Sequence, residues 1–463
     1  MKFYYFFIFS FIFYFVSSEP LKIPFKTRFK KENMNKDNVM QMLINNDIIA
    51  NISIGSNNQT IEVNIKSQKD SSFILSDSCP QNIYATKFNA NNSETYEKLL
   101  EKKNYYMYEF DVATLSKDNL ILMLENDKKV IVNDFKFMLA NNLWNDFQKY
   151  MGGVLGLILS NKVDDPKDTD FITQLKSNQI INSYVFMLDY KDNYNGIFLV
   201  GDYFHDFDNH YNEKDFMKMN AGKDKEKYKI WEIKIDKVLS KNQSLIVQNN
   251  TYLQMHYEMG IFASPDFYHN YIKENFFNKY LDEGICAEIL NLEDITIFNK
   301  YNYIVCNKTN FQIESFPDLI FFNSEINHIF TFNYKDLFYE FENRYYFLVV
   351  FPIYSITVEY WYVGKPFFVK YKLFFDKDKK MIGLYENDYQ DEEGEEQIII
   401  ENSSNFYIVY IIIIIILIII LIGVLYYFLI IKRTRKKRAN ELEENIDYSP
   451  YSDEDKNKKI IIN

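Results

Sequence analysis

The chain has 463 residues, of which 47% are hydrophobic and 18% aromatic. This apolar content excludes a disordered or collagen-like protein, because such chains lack the apolar surface that forms a core. The net charge is −12, so we expect no nucleic-acid partner, since phosphate contacts need a basic face.

The first residues are typical of a secretory signal peptide. Met1 and Lys2 precede a mainly apolar run of 14 residues, Phe3–Val16, and the small residues Ser17 and Ser18 follow. This order predicts a cleaved signal over residues 1–18. The alternative, an uncleaved anchor, is weaker because the run is too short to span a bilayer. The basic, polar stretch that follows, residues 19–38, is interpreted as a pro-segment or a loose arm.

Short β-rich segments recur from about Val39 onward. Their apolar alternation and their spacing near ten residues predict a mainly antiparallel β protein. The best helical candidates are Thr169–Ser177 and Asp266–Tyr280. The predicted strands are Ile48–Ile54, Gln59–Ile65, Ser72–Ser76, Leu120–Leu124, Lys129–Phe137, Ser183–Leu188 and Gly196–Val200.

A second long apolar segment lies near the carboxyl end of the chain. Phe406–Ile431 contains no charged residue, and as a helix it would reach about 39 Å, enough to cross a bilayer core of about 30 Å. An acidic linker, 388–405, precedes it, and a tail over 432–463 begins with a basic cluster. The positive-inside rule therefore predicts one transmembrane helix with a cytosolic tail and a lumenal or extracellular ectodomain. A GPI signal is disfavoured because of the basic tail.

The predicted ectodomain carries features of the secretory pathway. Cys286 and Cys306 could form a disulfide in an oxidising compartment, which would leave Cys79 over. A metal site or a cofactor is not expected, since neither metal-binding motifs nor nucleotide-binding glycine patterns occur. Candidate glycosylation sites in Asn-x-Ser/Thr triplets are Asn51, Asn58, Asn91, Asn242, Asn249, Asn307 and Asn402.

Several short motifs occur in one order along the ectodomain. Two apolar-apolar-Gly triplets, ending in Leu155-Gly156 and Val363-Gly364, are the most informative. The other motifs are Ile54–Gln59, Phe88-Asn89 with Ser93–Tyr96, Phe171-Ile172 with Leu175, Phe186–Leu188, Gly196–Gly201, Phe316–Leu319, Trp361–Phe368, Leu373–Asp376 and Met381–Leu384.

Together these motifs resemble the pepsin-like aspartic peptidases across roughly residues 40–386. The resemblance implies an all-β, mainly antiparallel, bilobal acid-protease fold. Its amino-terminal lobe would cover residues 39–200 and its carboxyl-terminal lobe residues 201–387. It also places the pair Cys286 and Cys306 where the family usually has a disulfide.

The resemblance fails at the two catalytic positions. Pepsin-like enzymes use one aspartate from each lobe, in Asp-Thr/Ser-Gly, because two carboxylates that share a proton supply both an acid and a base. The chain contains neither triplet. Counted from Ile54-Gly55 without a gap, the first position is Lys66, and with a two-residue insertion it is Gln68. The second position is His256.

Other side chains near these positions are candidates for the same roles. Asp70 and Glu258 are the candidate substitute acids, although both lie out of register with the motif. Tyr106 falls at the position of the tyrosine in the family's flap, where Met107 and Glu109 replace the flanking glycines. The sequence therefore gives no intact catalytic residue.

These observations predict a membrane-anchored, glycosylated pseudopeptidase in the secretory pathway or at the cell surface. It would retain a cleft for a peptide or protein ligand. The first alternative is an active aspartic endopeptidase with a non-standard carboxylate pair. The second is a structural surface protein whose cleft is filled by its own side chains.

Overall fold

The computed structural model describes most of the predicted ectodomain. The described residues are 20–28, 34–67, 69, 72–80, 85–103, 110–143, 152–159, 169–222, 230–240, 243–246, 251–293, 300–352, 360–386 and 430–433. The chain divides into two compact units, Met1–Gln390 and Asp391–Asn463. Of the second unit only residues 430–433 are described, and they are helical.

Several predictions lie outside the described residues. They are the signal peptide 1–18, the linker, nearly all of the apolar segment Phe406–Ile431 and the positions Gln68, Asp70, Tyr106, Asn242, Asn249 and Asn402. Within the part of the chain that is described, no helix has the length and apolar character needed to cross a membrane.

The first unit, the body, consists mainly of β-strands, as the sequence predicts. Its described strands are β1 (Leu21–Thr27), β2 (Ile48–Ile54), β3 (Gln59–Lys66), β4 (Phe73–Leu75), β5 (Glu97–Lys103), β6 (Phe110–Met123), β7 (Lys129–Leu143), β8 (Gly153–Gly156), β9 (Val185–Tyr190), β10 (Asn195–Val200), β11 (Phe216–Asn220), β12 (Glu232–Ile235), β13 (Lys237–Ser240), β14 (Gln243–Ile246), β15 (Thr251–Met255), β16 (Phe262–Ala263), β17 (Cys286–Glu293), β18 (Lys300–Asn307), β19 (Leu319–Asn323), β20 (His328–Phe332), β21 (Phe338–Phe341), β22 (Arg344–Phe347), β23 (Val349–Pro352), β24 (Tyr360–Val363), β25 (Phe374–Asp376) and β26 (Met381–Tyr385). The short helices are α1 (Val39–Ile44), α2 (Phe171–Ser177), α3 (Phe204–Phe207), α4 (Asp266–Ile272), α5 (Asn278–Asp282), α6 (Tyr334–Leu337) and α7 (Lys365–Lys370).

Each of the seven predicted strands overlaps an observed one. The two predicted helices are also present: α2 begins after its capping residue Asp170, and a π-helical turn at Lys273–Phe277 joins α4 to α5. The sequence did not predict α1, which interrupts the β pattern just after Val39.

The strands form three sheets of 13, 9 and 4 strands. The largest sheet runs β11-β26-β25-β9-β10-β1-β2-β3-β8-β4-β7-β6-β5. Its first six strands join the two halves of the body, which we call the first half (Leu21–Val200) and the second half (Phe216–Tyr385). The hairpins β9–β10 and β25–β26 meet at the centre of these six strands, and β1 and β11 flank them on either side.

The strand β1 corrects the expectation of a loose arm over residues 19–38. Leu21, Ile23 and Phe25 are buried, and the residues that alternate with them, Lys22, Pro24 and Lys26, are exposed. This is the alternation of a strand with one buried face. β1 pairs with β10 over six residues and with β2 over three. The lysines dominate the composition of this stretch and conceal its apolar face in the sequence.

One arrangement of strands occurs once in each half. In the first half β8 runs parallel to β3 and antiparallel to β4, and β4 runs parallel to β7. In the second half β24 has the same relations to β15 and β16, and β16 runs parallel to β23. The first apolar-apolar-Gly triplet ends β8, and the glycine of the second directly follows β24, so the two triplets occupy equivalent places.

Candidate functional site

The ends of β3 and β15 bring the predicted catalytic positions to equivalent places. The partners of Val154 on β3 and β4 are nine residues apart in sequence. The partners of Tyr362 on β15 and β16 are also nine residues apart. The loops that join the paired strands therefore have the same length in both halves.

This equal spacing decides which residue of the first half corresponds to His256. Lys66 pairs with Gly156 at the end of β8. His256 follows the pair formed by Met255 and Val363 and donates its backbone N–H to the Val363 carbonyl at 2.9 Å. It therefore stands opposite the Gly364 position. Lys66 and His256 are equivalent, so the count without a gap fits the strand register.

The loops that follow these two residues meet between the halves. Ser67 Oγ donates a hydrogen bond of 2.9 Å to Glu258 Oε2, across 191 residues of sequence. His256 Nδ1 lies 3.7 Å from the other oxygen, Oε1, an ion-pair distance that is too long for a hydrogen bond. We call Lys66, Ser67, His256 and Glu258 the junction cluster.

The junction cluster is buried. Ser67 has no exposed surface, and Lys66, His256 and Glu258 are 3%, 5% and 8% exposed. Buried charges are normally paired, because removing an ion from water is costly. The cluster therefore places one carboxylate against two basic side chains in a region that excludes most water.

The charges around Glu258 keep its carboxylate ionised. Burial acts to raise the pKa of Glu258, but the neighbouring His256 and the charge of Lys66 outweigh burial, and the pKa lies below its ordinary value. The pKa values of two nearby tyrosine side chains are shifted in the opposite direction. Burial and the charge of Glu258 raise the pKa of Tyr190 and of Tyr257, so both remain neutral.

A segment of the first half covers the loop that carries Glu258. Gly260 N–H donates to the carbonyl of Leu43, at the end of α1, at 2.9 Å. A β-carbon on Gly260 would lie 2.2 Å from that carbonyl oxygen, so this close approach requires glycine. Asn45 pairs with Met259 as an isolated bridge beside it. The apolar residues of α1 pack against Ile261 and its neighbours.

The second apolar-apolar-Gly triplet also requires its glycine, because two backbone carbonyls lie close to it. A β-carbon on Gly364 would lie 2.3 Å from the carbonyl oxygen of Met259 and 2.4 Å from that of Ile261. The chain directly after β24 therefore touches the backbone of the loop after His256. This contact sets the position of the loop that presents Glu258.

Among the described residues, the arrangement holds one carboxylate between the two halves. The described hydrogen bonds and ion pairs of Ser67 and His256 reach a single carboxylate, that of Glu258. A carboxylate with a lowered pKa is a poor proton donor near neutral pH. Neither ring nitrogen of His256 has a hydrogen-bond partner among the described residues.

The remaining predicted site residues lie elsewhere in the body. The sulfur atoms of Cys286 and Cys306 are 1.99 Å apart, at disulfide distance, across β17 and β18. Cys79 is buried in a separate apolar cluster of the first half. The described glycosylation candidates are all exposed: Asn51, Asn58, Asn91 and Asn307.

Sequence reasoning missed Ser67 and gave Glu258 little weight. Ser67 directly follows Lys66, where the sequence resemblance would put the Thr or Ser of the triplet, and this is the signal that could have identified it. Among the described residues, no group of three or more His, Cys, Asp and Glu side chains could hold a metal ion.

Comparison with known proteins does not assign the chain. No protein-family model matches it, and no curated protein matches it significantly. The function must therefore be argued from the geometry of the junction cluster and from the sequence resemblance.

Proposed function

We propose that the chain is a membrane-anchored, glycosylated pseudopeptidase with a bilobal pepsin-like body. It would bind a peptide or protein ligand between its lobes and would not hydrolyse it. The observation that carries the proposal is the pair of equivalent positions where the two halves meet. They hold Lys66 and His256, where an aspartic peptidase needs a carboxylate from each lobe.

The strand arrangement supports the resemblance to the pepsin-like family. A body built from two halves with the same strand–loop–strand unit agrees with a bilobal fold. The two glycine triplets stand at equivalent strand ends. The scaffold motifs and the replacement of the catalytic residues therefore point to a folded product that has lost its chemistry.

An assay of the unmodified chain tests the proposal. We expect no cleavage of denatured globin at acidic pH and no effect of pepstatin. Pepstatin-sensitive cleavage would overturn the proposal in favour of an active endopeptidase with another carboxylate pair. In that case Asp70→Ala and Glu258→Ala would show whether these two acids form the pair, since activity that survives both changes excludes them.

One observation favours the purely structural alternative. Lys66, Ser67 and His256 are almost fully buried, as expected if the cleft is filled by the protein's own side chains. Binding measurements separate the two functions. A library of peptides should contain ligands for the unmodified chain if the cleft opens, and none if the protein is a structural component.

A further inference from the structure

We propose that the junction cluster is an interlobe latch, in which the ionised carboxylate of Glu258 holds the loops of the two halves together. This conformational device does not depend on which ligand the cleft takes. The contact would keep the side chain of Lys66 away from solvent.

The geometry of Glu258 carries the inference. Its two oxygens are directed to different halves: Oε2 accepts the hydrogen bond from Ser67, and Oε1 faces His256. Both partners are at least 95% buried. A hydrogen bond to a charged group is stronger than one between neutral groups, especially away from water. The Glu258 side chain of the second half therefore holds the loop of the first half that begins at Ser67.

The charged and titratable groups around Glu258 come from several elements. Lys66 approaches from the end of β3, and His256 lies on the same loop as Glu258. The charge of Glu258 acts on Tyr190, which lies on β9, and on Tyr257, its neighbour in sequence. The two tyrosines are neutral and the basic groups favour the carboxylate anion. If Glu258 lost its charge, its favourable interaction with these basic groups would be lost.

Other contacts between the halves would remain when the latch opens. β9 and β25 pair in the central sheet, and Trp231 Nε1 donates to the carbonyl of Leu157 at 2.6 Å. The halves therefore stay joined, and the movement is a local separation of the loops that bear Ser67 and Glu258. Lys66, which is 3% exposed, would become accessible in that state.

The test measures the reactivity of the Lys66 amine in the full-length chain. Each variant is treated briefly with an amine-reactive succinimidyl ester at about pH 7.5, and acylation of Lys66 is quantified by mass spectrometry. Glu258→Gln should raise the acylation rate about tenfold, because a buried pair has been broken. Ser67→Ala, which keeps the charge, should raise it about fivefold by removal of one buried hydrogen bond.

A matched control separates a latch from a general loss of stability. Glu288 also contacts a histidine and a lysine, with His269 Nε2 at 3.4 Å and Lys273 Nζ at 2.5 Å, but all three residues belong to the second half. Glu288→Gln should leave the reactivity of Lys66 within about twofold of the unmodified chain.

Three results would overturn the latch. Unchanged reactivity of Lys66 in Glu258→Gln shows that the carboxylate does not hold the loops. An equal rise in Glu288→Gln shows that the effect is global. If Glu258→Gln does not fold, Ser67→Ala alone decides, and unchanged reactivity in that variant excludes the latch. Cleavage of globin by the unmodified chain would refute the proposed function and leave these measurements interpretable.

Discussion

The two halves of the body share a strand arrangement at the junction cluster but differ in the side chains they supply. The first half provides an amine and a hydroxyl, from Lys66 and Ser67. The second provides an imidazole and a carboxylate, from His256 and Glu258. The loops between the paired strands are equally long in both halves. Loops of the same length therefore carry side chains of different chemistry.

This difference shows that one strand arrangement accommodates unlike side chains where β3 and β15 end. Pairing of β3 with β8 and of β15 with β24 is specified by buried apolar side chains and by glycines where backbones approach closely. A pair of identical acids is needed only for acid–base chemistry. Strand ends of the same geometry can therefore carry different polar groups, as Lys66 and His256 do here.

The largest expected effect tests a second polar contact between the halves. Lys377 Nζ lies 2.5 Å from Asp170 Oδ2, with side-chain exposures of 8% and 0%. Lys377→Met leaves the fully buried carboxylate without this cation, so we expect a loss of about 3–5 kcal/mol in the free energy of unfolding. Urea unfolding of the full-length chain measures it.

Removing the charge of the other partner, Asp170, should cost less stability than removing Lys377. The comparison of these two variants is the control. Asp170→Asn keeps an oxygen that accepts from Thr173 N–H and so keeps the cap of α2. The ammonium group left behind is on a long side chain that can reach water. We expect a loss of about 1–2 kcal/mol. Unchanged stability in Lys377→Met would show that the ion pair does not stabilise the contact between the halves.

The next prediction tests the equivalence of the two glycine triplets. Gly364→Ala places a β-carbon 2.3 Å from a carbonyl oxygen, so the backbone must move, and we expect a loss of about 3 kcal/mol in the free energy of unfolding. Gly156→Ala should cost a similar amount if the halves are equivalent. A β-carbon on Gly284 would meet no atom within 4 Å, although its φ is +67°, so Gly284→Asn should cost less than about 1 kcal/mol.

The sequence predicted the strands better than the cluster, for physical reasons. Strands such as β2 and β3 carry their own apolar alternation, which is a local signal. β1 was missed because the basic residues spread over residues 19–38 made the whole stretch resemble a polar arm. The contact between Ser67 and Glu258 joins residues 191 positions apart, and no local pattern encodes which distant side chain a hydroxyl will meet.

The smallest expected effect compares two carboxylates whose pKa values move in opposite directions. Burial, helped by the charge of Asp206, raises the pKa of Asp202 to about 6. The unfolded chain therefore releases this proton first, and the charge on Asp202 lowers stability as pH rises from about 4 to 6. Asp202→Asn should raise the unfolding midpoint at about pH 7.5 and leave it unchanged below about pH 4.

Glu258 should give the opposite profile. Because its pKa is lowered in the folded chain, its contribution to stability is complete above the unfolded value of about 4.3 and is lost as pH falls through the folded value. Glu258→Gln should therefore lower the unfolding midpoint at about pH 7.5, and the difference should shrink in strong acid. Thermal unfolding from about pH 3 to about pH 8 measures both profiles, and a Glu258→Gln variant that gains stability at neutral pH would show that burial, not its basic neighbours, governs this carboxylate.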